Sequence, residues 1–134
     1  MTKVPILIVD DNPLNTLLVH HILVARGFEV RSAADAPEAF EILKTFLPSL
    51  IVMDVRLPGM DGLELTRRLK ADPRTSDIQI MAVTASAMAD DERLAMNAGC
   101  DGYIAKPINT RTLADQLLDC LERADARRAL AVMT

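Results

Sequence analysis

The stretch Val4-Pro-Ile-Leu-Ile-Val-Asp-Asp-Asn-Pro13 decides the fold, because an apolar run stops there at two aspartates. No polar residue interrupts Ile6–Val9, a pattern typical of a strand that is buried on both faces. Asn12 suits a helix N-cap, and Pro13 suits the first helical position, where its missing N–H costs nothing. The stretch therefore predicts a central strand that leads through two carboxylates directly into a helix.

The rest of the chain repeats this alternation of strand-like and helix-like segments. The predicted strands are Val4–Asp10, Glu29–Ala33, Leu50–Met53, Ile78–Val83 and Gly102–Ala105. The predicted helices begin near Asn12, Asp35, Asp61, Met88 and Thr110, and the last of them runs at least to Arg123. Strict alternation of this kind predicts an α/β fold, a doubly wound parallel sheet of five strands with five helices on its two faces.

Composition sets the broad class. The 134 residues carry a net charge of −4, which argues against a nucleic-acid partner because such proteins need a clustered basic face. No apolar stretch is long enough to span a bilayer, and the N-terminus has no signal-peptide pattern, so we expect no membrane partner. Cys100 and Cys120 lack metal-ligand or redox spacing, and they are expected to be reduced thiols of a cytoplasmic protein.

Polar residues follow the predicted strands at their carboxyl ends, where open parallel sheets bind their ligands. Asp10 and Asp11, Asp54, Thr84 and Lys106 would all meet in one crevice. Three carboxylates are hard oxygen ligands of the kind that Mg²⁺ accepts, together with a phosphate. Each residue alone has a structural explanation as a helix cap or turn former, but the coincidence at one edge of the sheet favours phosphoryl chemistry.

These positions carry a resemblance to a known family. The stretches Leu7-Ile-Val-Asp-Asp-Asn12, Ile51-Val-Met-Asp54, Leu57-Pro-Gly-Met-Asp-Gly-Leu63, Ala82-Val-Thr-Ala85 and Ala98-Gly-Cys-Asp-Gly-Tyr-Ile-Ala-Lys-Pro107 resemble response-regulator receiver domains of the CheY-like family. The resemblance spans residues 4–123 and is closest to single-domain relay or cell-cycle regulators and to hybrid-kinase receivers. It implies the flavodoxin-like strand order 2-1-3-4-5. Residues 1–124 would be the receiver domain, and residues 125–134 a tail or an extension of the fifth helix.

The resemblance also implies roles for individual residues. Asp54 would be the phosphoacceptor. The implied Mg²⁺ ligands are Asp11, Asp54, the backbone carbonyl of Arg56 and, through water, Asp10. Thr84, Lys106 and Tyr103 would bind the phosphoryl group or switch with it. Pro107 is a candidate for a cis peptide bond or a turn.

The implied partners are proteins. A histidine kinase or a histidine phosphotransfer protein would supply the phosphoryl group. A downstream protein target would read the surface of the fourth helix, the fifth strand and the fifth helix. Since 134 residues leave no room for an output domain, we expect the signal to pass by protein contact or by onward phosphotransfer.

The first helix is more apolar than one buried face requires. Leu18, Val19, Ile22 and Leu23 would form its core stripe, and a second stripe contains Leu14, Leu17, His21 and Val24. We expect Leu14, Leu17 and Val24 to form an exposed docking surface for the phosphodonor helices. Packing of the same residues beneath loops is the alternative.

Two other functions remain open from the sequence. A Mg²⁺-dependent phosphohydrolase of the haloacid dehalogenase type would also use a strand-end aspartate, but it wants a second acid where this chain has Arg56. A receiver-like scaffold that never accepts phosphate would typically lose an acidic residue or the lysine, and this chain has both.

Overall fold

The computed structural model describes residues 3–85 and 89–133. The strands are Pro5–Val9 (β1), Glu29–Ala33 (β2), Leu50–Asp54 (β3), Gln79–Thr84 (β4) and Gly102–Ala105 (β5). The helices are Pro13–Ala25 (α1), Ala36–Leu43 (α2), Gly62–Ala71 (α3), Ala89–Ala98 (α4) and Leu113–Met133 (α5). All four strand pairings are parallel, in the order β2-β1-β3-β4-β5, which confirms the predicted α/β fold and strand order.

Two apolar layers hold the helices against the sheet. Successive residues of β3 point to opposite faces, so Ile51 and Met53 pack into one layer while Leu50 and Val52 pack into the other. The first layer also holds buried residues of α2, α3 and α4, such as Ala39, Leu65 and Ala95, and the second holds residues of α1 and α5, such as Leu23 and Leu117. Burial on both faces explains why the central strands are uninterrupted apolar runs.

Side-chain caps start the first three helices where the sequence predicts them. The Asn12 side chain accepts hydrogen bonds from the backbone N–H groups of Leu14 and Asn15 at 2.9 and 3.3 Å. In the same way, the Asp35 side chain accepts from the Glu38 N–H at 2.9 Å. The Asp61 side chain accepts from the Glu64 N–H at 2.8 Å. These caps satisfy backbone N–H groups of the first helical turn that have no partner within the helix. The predicted start of the fourth helix, Met88, lies outside the described residues.

The predicted start of the fifth helix at Thr110 is wrong. The Asn109 side chain accepts a hydrogen bond from the Arg111 N–H at 2.9 Å, and its carbonyl accepts from the Leu113 N–H at 3.1 Å. Asn109 therefore forms a turn ahead of the helix, which is a common alternative role for asparagine. α5 begins at Leu113 and continues to Met133.

The predicted core stripe of α1 also needs a correction. Val19 and Leu23 are buried and Ile22 is partly buried, but Leu18 is 43% exposed. The α1 core contact is thus narrower than the apolar pattern suggests, because a helix presents only one stripe to the sheet beneath it. Leu18 belongs to the exposed side of α1.

A lysine joins the amino-terminal ends of β4 and β5. The Lys70 Nζ donates to the Asp101 carboxylate at 2.8 Å and to the carbonyls of Ile78 and Ser76 at 2.8 and 3.3 Å. The same Asp101 oxygen accepts from the Ile80 N–H at 2.9 Å. Since both side chains are only 20% exposed, this network ties α3, the loop after it and two strands together.

The cysteines and the character of the helices bear on two further expectations from the sequence. Cys100 and Cys120 are both free and buried. Across residues 3–85 and 89–133, none of the helices combines the length and apolar character needed to cross a bilayer.

Candidate functional site

The sheet brings three carboxylates together at its carboxyl edge. Asp10 and Asp11 follow β1, and Asp54 ends the neighbouring strand β3. One carboxylate oxygen from each of these three residues lies within 4.8 Å of the other two. The loop after β5 adds the ammonium group of Lys106, so the crevice collects the acidic residues and the lysine that the sequence assigned to it.

Both oxygens of the Asp54 carboxylate are held. Oδ1 accepts a hydrogen bond from the backbone N–H of Arg56 at 2.9 Å, and Oδ2 accepts from the Lys106 Nζ at 3.1 Å. The Asp54 side chain is 6% exposed, while that of Lys106 is 26% exposed. A buried carboxylate needs such partners because water no longer solvates it. These contacts fix the orientation of the carboxylate at the floor of the crevice.

Asp10 and Asp11 are adjacent but have different surroundings. Asp10 is buried, and its Oδ1 accepts a hydrogen bond from the Asn12 N–H at 2.8 Å. Burial raises the pKa of Asp10, and the nearby negative charge of Asp54 raises it further, against the opposing effects of the Asn12 hydrogen bond and of Lys106. Asp11 is exposed, and its side chain makes no hydrogen bond or ion pair with the described residues. A cation could therefore bind between them from solvent.

Thr84 and Tyr103 lie on the two strands at the far side of Asp54. Thr84 is the last residue of β4, is buried, and accepts a hydrogen bond from the Lys106 N–H on its carbonyl at 2.7 Å. Tyr103 is half-buried in β5. Partial burial raises the pKa of Tyr103, and the carboxylates of Asp91 and Glu92 on α4 raise it further. The backbone hydrogen bond thus couples the end of β4 directly to Lys106.

The connections around Asp54 are tightly constrained. The Lys106–Pro107 peptide bond is cis, immediately after the lysine that reaches Asp54. On the other side, the Arg56 side chain is exposed, and the Gly62 N–H donates to the Val55 carbonyl at 2.8 Å. A Cβ atom on Gly62 would overlap the Asp54 carbonyl oxygen and lie 2.9 Å from the Val55 Cα. The sequence places Gly62 in the motif after β3 but gives no sign of this close contact with Asp54, because the contact depends on how the two backbones pack.

The proposed docking residues of α1 lie at the surface. Leu14 is 77% exposed, Leu17 is 67% exposed and Val24 is 45% exposed. Leu18 lines a depression of about 460 Å³ whose other walls include Lys106 and the loop after it. The exposed apolar side of α1 is therefore continuous with the rim of the carboxylate crevice.

The donor set fits a hard divalent cation. Three carboxylate oxygens within 4.8 Å of one another, partly open to water, are what Mg²⁺ accepts while it keeps several of its own waters. In the described part of the chain, this is the one cluster of three or more acidic, cysteine or histidine side chains with that spacing. A cation there would also offset the repulsion among the carboxylates.

Comparison with known proteins gives the same picture. The family model of the response regulator receiver domain matches residues 6–118. The polar-differentiation response regulator DivK of Brucella ovis is 41% identical over 109 residues, covering 81% of this chain and 88% of that protein. A CheY-like receiver domain protein of Methanospirillum hungatei has 30% identity and a TM-score of 0.85, covering 94% of this chain and 99% of that one.

A third relative has a metal in its structure. The receiver domain of the sensor histidine kinase PA1611 of Pseudomonas aeruginosa has 31% identity and a TM-score of 0.81, covering 90% of this chain and 99% of that one. Its structure has a magnesium ion coordinated in the active site cleft. Sequence, strand order and relatives agree, and the chain belongs to the response regulator receiver domain family, the phosphoryl-accepting regulators of two-component signalling.

Proposed function

We propose that Asp54 accepts a phosphoryl group from a phosphohistidine donor, with Mg²⁺, and that this switches a protein-binding surface on α4, β5 and α5. The observation that carries the proposal is the environment of the Asp54 carboxylate. It is buried at a strand end, both of its oxygens are held, and a cation lies 3.1 Å from one of them. Asp10 and Asp11 have no lysine or arginine at comparable distance in the described residues.

The transfer is an in-line displacement. A carboxylate oxygen of Asp54 forms a bond to phosphorus, and the bond from phosphorus to the donor histidine nitrogen breaks. The imidazole nitrogen keeps the electron pair and takes up a proton. Positioning supplies most of the catalysis, because the Asp54 carboxylate is already oriented by the Arg56 N–H and by Lys106.

Charge at the crevice decides whether the donor can approach. Three carboxylates repel a phosphoryl group, and Lys106 supplies only one compensating positive charge. Asp11, Asp54 and the backbone carbonyl of Arg56 would hold Mg²⁺ directly, with Asp10 acting through a bound water. When bound, the ion supplies charge neutralisation to the transferring phosphoryl oxygens. Lys106 would keep donating a hydrogen bond to an oxygen at position 54 during the transfer.

The switch rests on the charge that phosphorylation adds. A phosphate monoester carries about −1.5 to −2 charges at neutral pH, more than the carboxylate it replaces, and an acyl phosphate should be comparable. Thr84 would turn its hydroxyl toward the new oxygens, and Tyr103 would occupy the space it leaves. Leu94 and Met96 on α4 are about half exposed, so this neighbourhood offers apolar area to a protein target.

The phosphodonor would dock on the exposed apolar side of α1. Leu14, Leu17 and Val24 would contact the helices of a histidine kinase or a histidine phosphotransfer protein, because helix-on-helix recognition uses apolar residues at this spacing. The continuity of this surface with the rim of the crevice would bring the donor histidine above Asp54.

Intact mass measurement with acetyl phosphate and Mg²⁺ tests the acceptor assignment. The wild type and the exposed control variant Asp125→Asn should each gain one phosphoryl group, whereas Asp54→Asn should gain none and keep its circular dichroism spectrum. Stable phosphorylation of Asp54→Asn would remove the assignment. Multiple turnover of an external phosphomonoester by the wild type would instead support a phosphohydrolase.

A further inference from the structure

One buried hydroxyl group lies between the start of α3 and the connection from α4 to β5. It belongs to Thr66, whose exposed fraction is zero. The Thr66 Oγ1 donates a hydrogen bond to the Gly62 carbonyl at 2.8 Å and accepts one from the Cys100 Sγ at 3.8 Å. The hydroxyl therefore joins the first residue of α3 to a distant part of the chain, and the phosphotransfer mechanism gives it no role.

The ordinary explanation of such a hydroxyl is local. A threonine inside a helix often donates to the carbonyl four residues earlier, because a buried hydroxyl needs a partner. Two observations distinguish Thr66 from that case. The carbonyl it binds belongs to Gly62, the residue that packs against the Asp54 backbone. The same Thr66 oxygen also accepts from Cys100, which commits the single hydroxyl proton to Gly62.

Gly62 needs to be held in place. It fits against the Asp54 carbonyl only because it has no Cβ atom, and glycine has the greatest backbone freedom of all residues. Two hydrogen bonds restrict that freedom. The Gly62 N–H donates to the Val55 carbonyl at 2.8 Å, and the Gly62 carbonyl accepts from the Thr66 hydroxyl. Since Val55 directly follows Asp54, these bonds hold Gly62 between the end of β3 and the interior of α3.

The other partner of the Thr66 hydroxyl is itself held. Cys100 is buried, and its N–H donates to the Ala95 carbonyl of α4 at 3.1 Å. The next residue, Asp101, accepts from Lys70, which lies one helical turn after Thr66. Residues four apart on a helix are neighbours on its surface, so Thr66 and Lys70 hold one side of α3 against the α4–β5 connection.

We propose that Thr66 is a positioning residue for phosphoryl transfer, whose hydroxyl holds Gly62 against Asp54 and so keeps the acceptor carboxylate oriented. This role rests on the proposal that Asp54 is the acceptor. In-line transfer depends steeply on where the attacking oxygen lies, so a small displacement of the Asp54 backbone slows it. Thr66 acts through the backbone of Gly62 and not by contact with the phosphoryl group.

The rate of phosphorylation by acetyl phosphate with Mg²⁺, followed by intact mass, tests this role. Thr66→Val keeps the shape of the side chain and removes the hydroxyl. We expect its rate to fall about fivefold, the kinetic equivalent of one net hydrogen bond. Thr66→Ser restores the hydroxyl and should recover most of the rate. An unchanged rate in Thr66→Val, or a Thr66→Ser variant as slow as Thr66→Val, would overturn the proposal.

A second buried threonine is the control for a purely structural effect. Thr75 is 3% exposed, and its Oγ1 donates to the Leu69 carbonyl at 2.6 Å, near the other end of α3. Thr75→Val should also lower the melting temperature. At a temperature where circular dichroism shows every variant folded, its phosphorylation rate should match that of the wild type. Equal slowing in Thr75→Val and Thr66→Val would mean that lost stability, not positioning, explains the effect.

Amide hydrogen exchange tests the same contact without any phosphodonor. The Gly62 N–H donates to the Val55 carbonyl, and the Arg56 N–H donates to the Asp54 carboxylate. Both amides should exchange faster in Thr66→Val than in the wild type or in Thr75→Val. Unchanged exchange at both amides would contradict the positioning role. Phosphorylation of Asp54→Asn would instead remove the acceptor assignment and leave the exchange result standing, so the two proposals fail separately.

Discussion

Gly62 lies against the backbone carbonyl of Asp54, so closely that a Cβ atom at position 62 would overlap the oxygen. The first residue of α3 must therefore be a glycine for the end of β3 to keep its position. We expect Gly62→Ala to lower the free energy of unfolding by about 3 kcal/mol, the upper end for overpacking, because the obstructing atoms are backbone. Thermal and urea unfolding measure the loss, and phosphorylation by acetyl phosphate should slow as Asp54 is displaced.

A second glycine, in the loop that precedes α3, provides the control. A Cβ atom on Gly59 would meet nothing within 4 Å, but its φ is +77°. Gly59→Ala should therefore cost about 1–2 kcal/mol from the left-handed backbone alone. If Gly59→Ala proves as costly as Gly62→Ala, the contact with Asp54 does not explain the effect.

Asp10 is predicted to destabilise the metal-free protein at neutral pH. Its pKa is raised in the folded state, so the folded protein holds this proton more tightly than the unfolded chain does. The stabilisation from the protonated form is complete below the unfolded aspartate pKa of about 3.9 and is lost as pH rises through the folded pKa. Asp10→Asn, which is always neutral, should be more stable than the wild type at pH 7 in EDTA.

The advantage of Asp10→Asn should shrink as pH falls toward the unfolded aspartate pKa. Urea unfolding at a series of pH values measures it. The control Asp91→Asn, at a partly exposed residue of α4, should show no comparable gain at pH 7. An advantage for Asp10→Asn that stays constant with pH would mean that ionisation of Asp10 is not its source.

Mg²⁺ should raise the melting temperature of the unphosphorylated protein, since a ligand that binds only the folded state stabilises it by about 2.7 kcal/mol at one hundred times its dissociation constant. Asp11→Ala should reduce this shift, because the proposal makes Asp11 a direct ligand. Asp91→Asn again serves as the acidic control. An equal shift in Asp11→Ala and in the wild type would place the ion elsewhere.

Lys106 should link the phosphoryl charge to Tyr103. The chain has one tyrosine and no tryptophan, so intrinsic fluorescence reports on Tyr103 alone. Phosphorylation of the wild type should change this fluorescence, whereas phosphorylated Lys106→Ala should show little change. Lys106→Ala should also lose roughly 1–3 kcal/mol of stability without Mg²⁺, because Asp54 loses its charged partner. A full fluorescence response in the variant would remove Lys106 from the switch.

The α1 surface should control transfer from a protein donor but not from a small one. Leu14 is 77% exposed, so Leu14→Asp should leave the fold intact. Transfer from a cognate kinase should slow about tenfold, the loss of one interface anchor, while phosphorylation by acetyl phosphate stays unchanged. Leu130→Asp, on a 63% exposed residue of α5, is the matched control. Equal slowing by both variants would mean that α1 is not the docking surface.

Local patterns predicted most of the fold. The uninterrupted apolar runs predicted the central strands, and Asn12, Asp35 and Asp61 predicted three helix starts, because each signal depends on residues close in the chain. The Thr110 prediction failed since Asn109 offers a competing turn, and composition cannot rank two adjacent caps. The prediction that Leu18 is buried failed because an apolar pattern does not say how wide the buried stripe of a helix is.

Local patterns likewise predicted some features of the site and not others. Strand-end positions predicted that Asp10, Asp11, Asp54 and Lys106 would meet, because parallel strands share one carboxyl edge. The obstruction at Gly62 depends on how close two backbones approach, and the open depression between α1 and α2, which Glu38 lines, depends on the spacing of those two helices. Neither distance is encoded in a local pattern.

Different contacts restrain the two ends of β5, and the hydrogen bonds of Lys70 act at its start. At its start, the Asp101 carboxylate accepts hydrogen bonds from Lys70 and from the Ile80 N–H. Just after its end, Lys106 pairs with the carboxylate of Asp54, the proposed phosphoacceptor. We infer that phosphorylation of Asp54 leaves the start of β5 in place and shifts its end, without changing the register of β5 against β4. Amide hydrogen exchange should then stay slow at Asp101 in both states while it changes near Ala105. The contacts at the start of β5 would then limit how far the strand moves, although they lie at the opposite end of the strand from the phosphoryl group.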